Sequence, residues 1–159
     1  MMPKIKAFRG FTLIELLVVI AILSVLLVIV LIAINPARQT QAARNTQRRA
    51  DVLTILNSVN QYFIATGTFP TGTPTATNSA VTISSSGGTG AAFCNALVPD
   101  YVAALPFDPF DSNSSHTYKF AACGDYNTGY EIMKNAGDRI TISSIEAAAD
   151  GGTAISATR

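Results

Sequence analysis

At 159 residues the chain has room for one modest domain plus segments with other work to do, and its formal net charge is only +1. The charge is unevenly spread: residues 1–51 hold seven Lys/Arg against two acids (+5), and residues 52–159 hold four against eight (−4). A mildly acidic body argues against a nucleic-acid-binding domain there, which would show a basic face, and no Gly-rich phosphate loop, metal-ligand pair or nucleophile motif points to catalysis.

The first element is apolar. Residues 11–34 read FTLIELLVVIAILSVLLVIVLIAI, with Glu15 the single charge. As a helix rising about 1.5 Å per residue, the run spans roughly 36 Å, enough to cross a hydrocarbon core. Apolar side chains occupy every face, which predicts lipid or a wholly apolar protein environment around it. A secretory signal has an apolar region of only about 7–15 residues closed by a small-x-small site; this run is longer and ends in Asn35-Pro36-Ala37-Arg38. Lys4, Lys6 and Arg9 form a basic flank of the kind kept cytoplasmic, though Arg38, Arg44, Arg48 and Arg49 lie beyond the other end. Glu15 sits where a bare carboxylate costs several kcal/mol unless it is paired or near the interface.

The stretch Arg9-Gly10-Phe11-Thr12-Leu13-Ile14-Glu15 closely resembles the processing site of type IV prepilins and type II secretion pseudopilins. The resemblance implies that a membrane-embedded prepilin peptidase cuts between Gly10 and Phe11 and N-methylates Phe11. It also implies an α+β pilin fold, a long N-terminal α-helix packed on a small antiparallel β-sheet. Residues 1–10 would then be the leader, 11–35 the transmembrane and filament-core helix, 36–66 an amphipathic helix half, and 67–159 the globular β domain. Two readings of Glu15 stand side by side. It pairs with the freed Phe11 amine of an incoming subunit, setting register more than affinity because desolvation offsets the attraction, or it snorkels to the headgroups.

Pro36 removes a helical bond to the carbonyl of Ile32 and predicts a kink or loosened stretch there. Family subunits place their kink nearer the mature N-terminus. Val52, Ile55/Leu56, Val59 and Tyr62/Phe63 then recur at three- and four-residue steps, predicting one buried helix face, with Gly67 as the stop. The four arginines form either a collar facing lipid headgroups or pairs with acids of neighbouring subunits, with DNA binding a weaker third reading.

Thr66–Ala80 is a Thr/Pro/Gly-rich connection, a composition open to O-glycosylation outside the cell. Strands are expected at Val81–Ser85, Thr117–Ala121, Tyr130–Lys134 and Arg139–Ser143, the last two joined by an Asn135–Asp138 turn. A helical turn is expected at Phe93–Leu97, loop over Leu97–Pro109, and a frayed end over Ala147–Arg159. Ala103–Pro109, Thr128-Gly129-Tyr130 and Asn35-Pro36…Arg48-Arg49-Ala50-Asp51 resemble the major pseudopilin and its relatives among short pilins.

Outside the cytoplasm Cys94 and Cys123 are free to oxidise, and a disulfide between them would pin the post-helix loop to the sheet; the alternative is two buried thiols. Asp108, Asp111, Asn113 and Asp125 fall in the region where major pseudopilins hold calcium, but without calcium-loop spacing, so they read as turn formers. No metal and no cofactor is expected, and His116 reads as a surface residue. The expected protein is a structural subunit and not an enzyme. Its implied partners are copies of itself in a helical homopolymer, the prepilin peptidase, an assembly platform with motor ATPases, and the bilayer before assembly. Surface pilus, secretion pseudopilus, DNA-uptake filament, minor or initiating pilin and a membrane-anchored binding module all remain open as its role.

Overall fold

A computed structural model describes residues 10–110 and 118–159. The leader before Gly10, with Lys4, Lys6 and Arg9, lies outside them, as do Asp111, Asn113 and His116. The chain divides into two compact units, one up to Gln39 and one from Thr40 to Arg159.

In the first unit, helix α1 runs Leu13–Ile34 with no buried side chain. It is long and apolar enough to cross a membrane. Helix α2 follows over Pro36–Thr66. Between them Asn35 turns into the left-handed region at φ 46°, a conformation that Asn tolerates better than most residues. Its side-chain oxygen accepts from the Arg38 N–H at 3.4 Å. The interruption expected at Pro36 is thus centred on Asn35, and Pro36 opens α2 at the position where its missing N–H costs nothing.

The second unit is α+β: α2 packs on a five-stranded antiparallel sheet of order β1-β3-β4-β5, with β2 paired to β3. The strands are β1 (Ala80–Ser84), β2 (Lys119–Ala122), β3 (Asp125–Lys134), β4 (Ile140–Ser144) and β5 (Ser156–Thr158). Two short helices, α3 (Gly90–Leu97) and α4 (Glu146–Ala149), flank the sheet. Val52, Ile55, Leu56 and Val59 of α2 meet Tyr126, Tyr130 and Ile132 of β3 and Ile142 of β4 in one core. Ile132 pairs across the strands with both Val81 and Ile142. The register of β1 on β3 shifts between Thr82 and Ser84, opposite Thr128–Tyr130. Gly129 stands there at φ 72°, and a Cβ on it would meet the Asp108 Cβ and the Tyr118 ring at 3.0 Å. Only glycine fits such a bulge.

Two expectations need correction. Strand β3 begins at Asp125, five residues before Tyr130, because pairing continues through the bulge. The segment Ala147–Arg159 is not frayed: β5 pairs with β4, Ala147 and Ile155 are buried, and the Arg159 guanidinium donates to the Asn57 side chain on α2 at 3.1 Å.

Cys94 on α3 and Cys123 in the β2–β3 turn are joined by a disulfide, Cα–Cα 5.2 Å. In the chain-entropy picture, closing a loop of this length stabilises by about 3.5 kcal/mol. Replacing both cysteines with Ser is expected to lower the free energy of unfolding by about that amount, with a matching fall in the denaturant midpoint; a midpoint insensitive to the double substitution would remove the disulfide from the forces holding the body together.

Candidate functional site

The residues singled out for processing sit where the chain enters α1. Gly10 and Phe11 are exposed and non-helical, Phe11 by 80%, and Thr12 is extended at φ −86°, ψ 151°. Thr12 and Glu15 close a reciprocal cap. The Glu15 N–H donates to the Thr12 hydroxyl at 3.3 Å, while the Thr12 N–H and hydroxyl both donate to Glu15 Oε2 at 2.8 Å. Such a box satisfies two of the N–H groups that a helix start leaves without partners. It also places a carboxylate at the positive end of the helix dipole. Threonine three residues ahead of a glutamate, before an apolar run, is a signal the sequence carried.

A second polar cluster lies inside the body and was not anticipated. Arg48 is fully buried on α2. Its guanidinium donates through Nε and Nη2 to Asp108 at 2.8 Å each, and through Nη1 to Asp150 at 2.9 Å. Asp108 also accepts from the Ser144 hydroxyl at 3.0 Å and the Phe110 N–H at 3.0 Å. Arg44 donates through Nε to Asp150 at 2.7 Å, and Gln41 bonds the Asp150 carbonyl. The cluster therefore gathers α2, the Leu105–Phe110 loop, the end of β4 and the turn after α4 around one side chain. The arginine collar expected at this point is largely absent: Arg48 is internal, Arg44 is three-quarters covered, and only Arg38 and Arg49 are exposed.

Of the residues considered for calcium, Asp108 and Asp125 lie among the described ones, and each is taken by a cationic side chain. Asp108 belongs to Arg48, and Asp125 pairs with Lys119 at 2.6 Å on the surface. Among the described residues no group of three or more His, Cys, Asp or Glu side chains is placed to hold a metal.

Burial alone lowers the Arg48 pKa, but its bonds to Asp108 and Asp150 outweigh that and raise it. Burial pushes the Asp150 carboxyl up, yet the hydrogen bonds and charges of Arg44 and Arg48 hold it below the ordinary range. Asp51 is raised, chiefly by burial, against the pull of the Tyr130 hydroxyl that donates to it at 2.8 Å. Burial and the Asp51 carboxylate raise Tyr130 too, so it remains a neutral donor.

Removing the guanidinium alone, in Arg48→Met, leaves a buried carboxylate uncompensated and is expected to cost about 3–5 kcal/mol; adding Asp108→Leu should recover part of the loss. Chemical denaturation of the three proteins measures this. The folded pKa of Asp150 lies below its unfolded value, so its stabilisation is complete above about pH 4 and is lost as pH falls through the folded value. Asp51 has the opposite sign: its contribution is present below the unfolded value and lost as pH rises through the raised one. Melting midpoints should therefore fall on acidification, with Asp150→Asn flattening that limb and Asp51→Asn leaving it in place.

Residues 5–31 match the family model described as the prokaryotic N-terminal methylation motif. No curated protein and no solved structure matches the chain. The matched segment contains the Gly10–Phe11 junction, the Thr12–Glu15 cap and most of α1. The motif implies processing by a prepilin peptidase and pilus assembly. This chain carries, at residues 5–31, the prepilin motif of type IV pilins and pseudopilins.

Proposed function

We propose that the chain is the structural subunit of a type IV pilus-like filament, cut between Gly10 and Phe11, N-methylated at Phe11 and polymerised through α1. The observation that carries this reading is α1 itself, a prepilin motif running into a 22-residue helix with no buried side chain. An apolar surface of that size requires a cover. The bilayer supplies it before assembly, and other copies of α1 supply it in the filament, while the sheet domains tile the outside. An assembly platform and motor ATPases drive the transfer between the two.

The entrance to α1 suits the cut. A peptidase takes its substrate extended, and the Gly10–Phe11 bond lies ahead of the cap that starts the helix. Cleavage removes Lys4, Lys6 and Arg9, taking the formal net charge from +1 to −2 (+1 − 3), and frees an amine on Phe11. With an ordinary pKa near 8 that amine is largely cationic. Both Thr12 bonds converge on Glu15 Oε2, so Oε1 remains available to receive the amine of an adjoining subunit.

Glu15→Leu is expected to be inserted and cleaved normally but to give few filaments, scored by membrane fractionation, the mobility shift on cleavage, and electron microscopy of sheared material. Wild-type filament yield from Glu15→Leu would overturn the pairing. In the same shear fraction, a dominant band of this chain marks a major pilin, and a trace amount marks a pseudopilin or a minor subunit.

A further inference from the structure

Helix α2 carries one cation that the body leaves unanswered. Arg44 and Arg48 are held by Asp150 and Asp108. Arg49, exposed one residue further on, makes neither a side-chain hydrogen bond nor an ion pair among the described residues. It lines a cleft of about 270 Å³ between α2 and the segment Thr153–Ala157, together with Leu53, which is 50% exposed, and the buried Val52 and Ile155. An apolar cleft beside one unmatched guanidinium suits a small apolar side chain that stands next to a carboxylate. The body presents such a pair in the turn after α3, where Pro99 and Asp100 are both exposed. Asp100 is the body's one fully exposed carboxylate without a hydrogen bond or ion pair among the described residues, since Asp125 and Asp138 are taken by Lys119 and Lys134. The turn is fixed at its base. The Val98 N–H donates to the Cys94 carbonyl at 2.8 Å and the Tyr101 N–H to the Leu97 carbonyl at 2.9 Å, and the Tyr101 ring meets the Tyr62 ring edge-on at 5.6 Å between centroids. A projection already ordered loses little freedom when it docks.

Turn and cleft cannot meet within one chain. Tyr101 anchors the turn beside Tyr62, which lies thirteen positions (62 − 49) beyond Arg49 on α2, about 20 Å along the helix. Between two copies they can. Subunits of a helical polymer all point the same way, and a contact between two different patches of the same body does not close on itself but propagates. We propose that the Arg49 cleft of one subunit receives the Pro99–Asp100 turn of a second copy, the Asp100 carboxylate on the Arg49 guanidinium and Pro99 against Leu53. The two α2 helices then run parallel, offset by about 20 Å. An exposed ion pair of this kind adds little affinity by itself; it selects the offset, because any other leaves both charges unmatched. The inference rests on the filament reading and names a contact between bodies that the packing of α1 leaves open.

The full-length chain is expressed in cells that supply a prepilin peptidase and an assembly platform, and filaments are recovered by shearing. Arg49→Glu and Asp100→Arg each set like charges against one another, and each is expected to lower filament yield at least about tenfold with the membrane-held pool unchanged. The double variant, Arg49→Glu with Asp100→Arg, restores the pair in reverse and should recover most of the yield. Arg139→Glu, at a second exposed arginine without a side-chain partner, should assemble as the unaltered chain does. The two native cysteines are joined to each other, so Arg49→Cys with Asp100→Cys introduces the only free thiols among the described residues. Mild oxidation of its filaments should give a ladder of multimers in non-reducing electrophoresis, and neither single cysteine variant should give one. Single charge reversals that assemble normally overturn the inference, as does a ladder missing from double-cysteine filaments. A loss that the double reversal does not repair, or that Arg139→Glu shares, gives the cleft to another occupant or the effect to net charge, and overturns it too. In all these cases filaments of the unaltered chain leave the filament reading standing; their absence overturns both.

Discussion

A guanidinium with no exposed surface is tolerable only where carboxylates meet it, and the organisation of the body follows from how Arg48 is met. Its partners Asp108 and Asp150 lie 60 and 102 residues away in sequence. Neither can arrive unless the loop before Phe110, the end of β4 and the turn after α4 are all in place on α2. Desolvation offsets most of what such a pair gains in attraction, so the cluster is poorly described as added stability. It acts as a constraint on arrangement. The apolar contacts of Ile55, Val59, Tyr130 and Ile132 supply the driving force, and the ionic cluster determines which loop and which turn close over them.

The N-terminal segment is organised by the opposite problem. Every side chain of α1 is apolar or small except Glu15 and Ser24, and none is buried by the chain itself. Ser24 hides its hydroxyl on the Ile20 carbonyl at 2.7 Å, a common way to carry a serine through an apolar environment. Glu15 is answered locally by Thr12. A carboxylate so held is stable enough to sit at the head of an apolar helix and still retains acceptor capacity for a cation. The two units thus treat charge differently: the body buries it among long-range partners, and the helix head keeps it among neighbours three residues away.

That contrast explains what was legible from sequence. The span, the stripe Val52–Val59 and the strands β1, β3 and β4 could be read because periods of 3.6 and 2 record which faces are buried nearby. The Gly10–Phe11 and Glu15 motif was legible because its residues are contiguous. Arg48 was not: four arginines at the start of a polar helix read as exposed by default, and nothing local names Asp108 or Asp150 as partners. The C-terminal segment was misread for a related reason. Its run of Ala, Gly, Ser and Thr has little burial signal, and its order comes from pairing with β4 and from the groups Gln41, Arg44 and Asn57 on α2. Gly129 hid the first half of β3 because a bulge interrupts the alternation by which a strand is recognised.

The disulfide has a consequence in mechanics. In the filament proposed for it, the chain would carry load along its backbone, and whatever part of a body gives way under tension pays out chain. Cys94 and Cys123 short-circuit 29 residues of that path, roughly 100 Å of extended backbone at about 3.5 Å per residue. Asp108 lies within the bypassed ring, so the loop that answers Arg48 is outside the line of force. The extension of a stretched body would stop short by the length of that ring.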